Sequence, residues 1–457
     1  MTLSEILIKA AQLILSLSIL VVLHEMGHFV AAKVFKCRVE KFYLFFDPWF
    51  SLFKKKVGET EYGIGWLPLG GYVKISGMID ESMDKEQMQQ PAEPWEFRSK
   101  PAWQRLIIMI GGVTVNLLLA FFLFAMVLFV WGEKQLPMES LRGGVLVNDS
   151  LGYELGFRDG DKILDINGQP VKYFEDLMPQ MVYAKQVKIE RDGSVLQLDI
   201  PHDFIGQLVD NRGRSKTPFL FSYNFPVLVG KIPDSSLARG SGLRKGDHIV
   251  AVAGTPTPYY DDVRSVSKAH KGEKVPVKVM RDGSEVTLQM QLSPEGAFGF
   301  VNANNPDDLE RLGFLKFETT RYGFLQSFAA GTNMAIDRLT DYVRQFKLIF
   351  QPSTGAYKGL GGFGTIASIF PSEWDWQAFW TMTAFLSVIL AFMNILPIPA
   401  LDGGHVMFLL YEMVTGRKPS DKFLEYAQIA GMVILFGLLL FANGMDVWRG
   451  IRGWFGG

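Results

Sequence analysis

Residues 13–34 read LILSLSILVVLHEMGHFVAAKV, an apolar run interrupted by Leu23-His24-Glu25-Met26-Gly27-His28. On a helix, residues four apart share a face, so His24 and His28 can offer two imidazoles to one metal ion. Glu25 projects nearby and can act as a general base toward an attacking water. On a solvated surface helix the same five-letter pattern would carry little weight. Here it lies inside a segment long enough to cross a bilayer, which takes about 20 apolar residues. Ionisable groups at that depth cost roughly 2.5–3.5 kcal/mol each on insertion scales, so they mark function. A bound cation supplies the missing compensation. The motif and its setting together predict a metal site within a membrane helix.

Three further stretches have the composition of a span. With the first, they place transmembrane helices in segments 1–35, 103–131, 377–402 and 424–443, and residues 106–131 carry no charge at all. A cleaved signal peptide is the competing reading of the first segment, but no small-residue cleavage site follows it. Lys36, Arg38, Lys41 and the run Lys54-Lys55-Lys56 belong to a set of ten Lys and Arg in the connection 36–102. Arg417, Lys418 and Lys422 crowd the loop before the last span. The positive-inside rule makes both connections cytoplasmic and puts region 132–376 and both termini on the far side. A net charge of −1 gives no reason to expect a nucleic-acid partner. Cys37 is the only cysteine, which excludes an intrachain disulfide and a cysteine-based zinc site. Any metal must be held by His, Asp or Glu, and there are six histidines to choose from.

The middle of the chain repeats itself. Residues 155–168 (LGFRDGDKILDING) align with 241–254 (SGLRKGDHIVAVAG), and 187–194 (VKIERDGS) with 277–284 (VKVMRDGS). The Asp-Gly pairs at 192–193 and 282–283 sit between alternating apolar runs, which is the hairpin signal. Each copy is expected to be a small domain of short strands, over 135–220 and 221–308. The Gly-Leu-x-x-Gly-Asp-x-Ile pattern with a Gly-tipped turn after it resembles PDZ domains, which bind extended chain ends by adding a strand to a sheet edge. The plainer alternative is two packing domains on a tether. Within 318–376, Ile336, Leu339, Val343, Phe346 and Phe350 fall at helical spacing with charged residues mostly between them. That predicts an amphipathic helix, lying in the membrane interface or packed on a domain. The fold class expected is a polytopic α-helical membrane protein of four transmembrane helices with two inserted extracytoplasmic PDZ-like α+β domains.

A catalytic zinc takes three protein ligands and keeps one position open. Residues 394–405 read NILPIPALDGGH. Pro397 and Pro399 stop the helix, and irregular backbone at membrane depth is tolerated only where it lines a cavity. Asp402, at the broken end, and His405, one turn on, are the candidates for the third ligand. In the cytoplasmic connection, residues 61–75 (EYGIGWLPLGGYVKI) read as a hairpin whose aromatic and β-branched runs flank Pro68, Gly70 and Gly71. It is apolar for a cytoplasmic loop, and either dips into the membrane or is buried on the cytoplasmic side.

His-Glu-Met-Gly-His in a first span, Asn-x-x-Pro-x-Pro-x-Leu-Asp-Gly in a third, and tandem PDZ-like domains between spans two and three resemble the site-2 protease family, most closely its RseP-type regulated intramembrane proteases of Gram-negative bacteria. The resemblance implies one catalytic Zn2+ held by His24, His28 and Asp402, with Glu25 as general base. It implies that Asn394 holds the substrate backbone and that the hairpin, with Gly63, Gly65, Gly70 and Gly71, sits in the membrane beside the substrate. Substrates would be single-span membrane proteins already shortened on the periplasmic side by an upstream site-1 protease, including anti-sigma factors and remnant signal peptides. The protein would be a multi-pass resident of the inner membrane bilayer, with periplasmic PDZ domains and an active site near the cytoplasmic side. A membrane-tethered PDZ scaffold without catalysis is one rival, and it would have a damaged metal site. A quality-control zinc protease with a soluble-side active site is another, and it would carry the motif in polar sequence after a span.

Overall fold

The computed structural model describes residues 2–78, 91–211, 220–303 and 306–455. Parts of the connection 36–102 and of the two repeat domains, at 79–90, 212–219 and 304–305, lie outside the described residues. The chain forms two compact units: Met1–Gly132 with Arg321–Phe350 and Leu360–Phe455, and Glu133–Thr320 with Gln351–Gly359.

The first unit contains, in chain order, α1 (Leu3–Val34), β1 (Val39–Val57), β2 (Thr60–Ile75), α2 (Ala102–Val130), α3 (Phe324–Ile349), α4 (Phe363–Ser368), α5 (Trp376–Ile395), α6 (Asp402–Thr415) and α7 (Asp421–Phe455). Four of these, α1, α2, α5 and α7, are long and apolar enough to cross a membrane. Helix α1 begins in a capping box, the Thr2 N–H donating to the Glu5 carboxylate at 2.8 Å and the Glu5 N–H to Thr2 Oγ1 at 3.3 Å. It then runs unbroken through both histidines. Gly27 and Gly111 bring α1 and α2 into backbone contact, since a Cβ on either would strike the other's carbonyl. Elsewhere on α2, Ala120, Leu123 and Phe124 pack with Ala335 of α3 and with Ala384 and Val388 of α5. Helix α3 is the amphipathic helix of the sequence. It lies on α2 and α5, burying Ser327, Gly331 and Ala335 and setting Tyr342 5.5 Å from the Phe385 ring.

The expected hairpin within 61–75 does not form. The chain turns instead at Gly58 (φ 62°), and among the described residues β2 pairs with β1 alone. Lys41 to Leu44 register with Glu61 to Ile64 on one side and with Gly71 to Lys74 on the other, while Phe53 to Val57 register with Thr60 to Ile64. The two halves of 60–75 therefore straddle the start of β1 rather than pairing with each other. Across the sheet the order is 51–57, 60–65, 39–46 and 67–75. Pro68 and the paired glycines read as turn residues, but a proline, with no N–H to give, equally suits an edge. That is where it stands.

In the second unit the two repeats fold alike. Strands Lys162–Ile166, Gln169–Pro170, Gln186–Arg191 and Ser194–Asp199 lie in the order 169–170, 162–166, 186–191, 194–199. His248–Val252, Thr255–Pro256, Lys274–Arg281 and Ser284–Gln291 repeat that arrangement, extended by Val227–Lys231 and Val301–Asn302. Positive φ at both residues of Asp192-Gly193 and Asp282-Gly283 (51° and 75°, 48° and 80°) makes the tight turns that match strand twist. The aspartate of each Gly-Asp pair is buried and clasped by the arginine of Arg-Asp-Gly. Arg191 donates to both oxygens of Asp161 at 2.7 and 2.8 Å, and Arg281 to both of Asp247 at 2.7 Å. The same arginines reach the carbonyls of Gly156 and Gly242, each at 2.8 Å. The carboxylates are buried while the arginines reach them from the surface, so the letters that carry the repeat are its clasps.

Candidate metal centre and active site

One turn of α1 aims His24 and His28 at a common point, and the first residue of α6 meets them there. His24 Nε2 lies 3.2 Å from His28 Nε2, and Asp402 Oδ2 lies 3.2 Å from the first and 3.3 Å from the second. Among the described residues these three form a group able to hold a metal ion. A tetrahedral zinc with ligand bonds of about 2.0–2.1 Å spaces its ligand atoms roughly 3.3 Å apart, so the triangle fits the ion. Two imidazoles and a carboxylate also match the donor set of a catalytic zinc with one position left open. His28 Nδ1 donates to the Ile108 carbonyl at 2.8 Å, which leaves Nε2 its lone pair for a metal.

Asp402 reaches the point because α5 stops at Ile395 and the chain runs irregularly to α6. Ala400 takes φ 87° there, a left-handed conformation rare for a residue with a Cβ. Gly431 of α7 leaves room for the Pro399 carbonyl against which any side chain would collide.

A cavity of about 930 Å³ opens over the three residues, and Glu25, Asn394, His405, Gly70 and Gly71 also line it. His405 borders the cavity but stands outside the ligand group. Edge segment 67–75 runs along α1: a Cβ on Gly71 would lie 2.7 Å from Val21 Cγ1 and 3.6 Å from Glu25 Cγ. Val73 and Glu25 both line the cavity. Gly63 and Gly65 are elsewhere, on the inner segment. A Cβ on Gly63 would enter the Tyr43 ring, and one on Gly65 the backbone of Phe45 and Phe46. Close strand packing accounts for both, and neither is among the residues that line the cavity.

Two residues of α2 escaped the sequence reading. Asn116 is fully buried and its amide meets His24 Nδ1 at 3.1 Å. Gly112 stands where a Cβ would strike both imidazoles. A lone asparagine in an otherwise apolar span was the available signal, since polar groups at that depth usually face a partner. Gly112 gave none, because its role is to be absent from a space that only the folded helices define.

Residues 12–438 match the description Peptidase family M50. A Xylella fastidiosa (strain Temecula1) protein whose name contains the words zinc metalloprotease is 28% identical over 447 residues, 93% of this chain and 96% of its own length. A similarly named Campylobacter jejuni protein is 26% identical over 444 residues, covering 95% and 92%. Metalloprotease MmpA of Caulobacter vibrioides is 25% identical over 471 residues, covering 98% and 99%. The family match runs through every element that builds the candidate metal centre, and with these relatives it makes the chain a member of peptidase family M50, a zinc metalloendopeptidase of the membrane.

Proposed function

We propose that the enzyme cuts peptide bonds within the transmembrane segments of single-span proteins already shortened on their extracytoplasmic side. The observation that carries this reading is the position of the ligand triangle. It sits on α1 between apolar residues 13–23 and Phe29 to Ala32, and against the broken end of α5, another candidate span. His24, His28 and Asp402 would hold the zinc. When bound, the zinc supplies Lewis-acid polarisation of the attacking water and the scissile carbonyl. Glu25 takes the proton from that water and returns it to the leaving amine.

A helical substrate bonds its amides and carbonyls internally, so it must open locally to be cut. Unpaired backbone groups in hydrocarbon cost several kcal/mol each. Segment 67–75 is a sheet edge along the cavity wall and can pair with the opened stretch by strand addition, with Asn394 bonding the same backbone. At Gly70 and Gly71 that edge carries no side chain. The Lys and Arg distribution supports an active site nearer the cytoplasmic side of an inner membrane and an extracytoplasmic repeat unit. The repeats would be PDZ-like modules that screen substrates, anti-sigma factors and remnant signal peptides among them, left by an earlier site-1 cut.

The test is a single-span substrate given to the purified enzyme with and without its extracytoplasmic domain. Cleavage within the span of the shortened form is expected. Glu25→Gln should keep its zinc and lose about 10²–10⁴ in rate, whereas His24→Ala and Asp402→Asn should also lose zinc. Cleavage confined to loops outside the span would sink the intramembrane reading, and full activity in Glu25→Gln would sink the mechanism.

A further inference from the structure

The partners of the two imidazoles are unequal as they stand. His28 has no choice of tautomer, because its Nδ1 faces a carbonyl, which can only accept. His24 must likewise carry its proton on Nδ1 to ligate through Nε2, the atom that points at His28 Nε2 and Asp402 Oδ2. Yet Asn116 turns Nδ2 toward His24 Nδ1, and its Oδ1 is buried without a partner among the described residues. Two donors would then face each other while an acceptor goes unused. Exchanging the amide oxygen and nitrogen, which have nearly the same shape, removes the conflict and gives the orphan oxygen a donor.

We infer that Asn116 is a positioning residue of the zinc centre: its Oδ1 accepts the His24 Nδ1–H and so fixes the tautomer and ring orientation that aim Nε2 at the metal. The surroundings hold it in place. Ser387 of α5, fully buried, donates its hydroxyl to the main-chain carbonyl of Asn116 at 2.7 Å. Gly112, one turn earlier, lets α2 close on the imidazoles. Helix α2 thus gives each histidine one acceptor, a backbone carbonyl for His28 and a side-chain amide for His24. Outer partners of this kind orient a ligand and raise its basicity. The inference rests on the zinc reading of the site.

The experiment uses the purified full-length protein, with zinc affinity measured by competition against a chelator of known strength. The visible absorption of the Co2+-substituted protein reports ligand geometry. Asn116→Leu keeps bulk and removes the acceptor, and Asn116→Ala removes the acceptor without adding strain. Asn116→Asp keeps an oxygen where it is needed. The Leu and Ala variants are expected to bind zinc about 10–100-fold more weakly and to change the Co2+ bands. The Asp variant should return to within a few-fold of the parent. Unaltered zinc affinity and Co2+ bands in Asn116→Ala would overturn the inference. So would an Asp variant as weak as Ala, with both metal-free forms melting at the parent temperature. A parent protein that bound no zinc would overturn the zinc reading and this inference together.

Discussion

Gly112 has no side chain, and the imidazoles of His24 and His28 lie where its Cβ would be. In an exposed helix, alanine in place of glycine would stabilise by about 1 kcal/mol through backbone entropy. Here the added methyl must push the ligand rings out of their triangle, so the effect falls on the metal rather than on the helix. Gly112→Ala is therefore expected to fold and to bind zinc about tenfold or more weakly, by chelator competition. Parent-like affinity would mean that α2 can retreat and that the close approach is not needed. Asp402 depends on its neighbours in the same way: the left-handed Ala400 and the crossing at Gly431 set where α6 begins.

The strand at 67–75 and its inner neighbour at 60–65 make opposite forecasts for the same substitution. Val73 lies on the cavity wall in the edge segment and registers with Phe42 of β1. Val73→Pro removes a donor from this edge segment, where a proline is tolerated better than inside a sheet. If the edge pairs with the opened substrate, a lost backbone hydrogen bond worth about 0.5–1.5 kcal/mol should slow turnover roughly two- to tenfold with zinc content unchanged. Ile64 registers with both Leu44 and Phe53, and Ile64→Pro should cost the sheet itself, seen as loss of folded protein. Unchanged cleavage by Val73→Pro would remove the edge as substrate clamp.

In the second repeat, His248 on the strand His248–Val252 packs 5.0 Å from the Phe314 ring, and its Nε2 is buried without a partner among the described residues. Burial holds its pKa below the ordinary value of about 6.5. The unfolded chain then takes up the proton first. This contribution to stability is full above about pH 6.5 and is lost as pH falls from there toward the folded pKa. Burial alone would raise Asp247, but the Arg281 guanidinium and the Arg244 N–H hold it below the usual carboxylate range, so its own loss comes at lower pH. Hydrogen exchange of strands 227–291 at pH 7.5 and 5.5 should show protection falling on acidification. His248→Phe should abolish the difference, and a difference that persists would assign it to another group.

Taken whole, the molecule carries a sizeable folded insertion between its second and third candidate spans, entered at Glu133 and left at Thr320. An enzyme that opens transmembrane helices needs a way to spare intact proteins. On the reading proposed above, which puts the insertion on the side of the substrates' large domains, its bulk is suited to exclude them. Deleting residues 140–305 and bridging the gap with a short linker should let unshortened substrates be cut at a rate near that of shortened ones. The control is retained cleavage of the shortened form. If that control holds and long substrates are still refused, exclusion by the insertion is wrong.

What the sequence determined by itself are the properties that depend on local spacing. Two histidines four apart on an apolar helix share a face whatever surrounds them. An Asp-Gly turn closes a hairpin by its own φ angles, and a duplicated Gly-Asp with Arg-Asp-Gly brings its clasp along in each copy. The span-like segments followed from composition in the same way. The tertiary structure alone decided what depends on which surfaces meet. It brought Asp402, which the motif resemblance implied but spacing alone left open against His405, to the two imidazoles, because the break after Ile395 sets the direction of α6. It put Gly63 and Gly65 inside a sheet and 67–75 at its edge, since strand order depends on partners far apart along the chain. It also set Asn116 and Gly112 beside His24, because contact between α1 and α2 is made through Gly27 and Gly111, which offer no chemistry of their own to read.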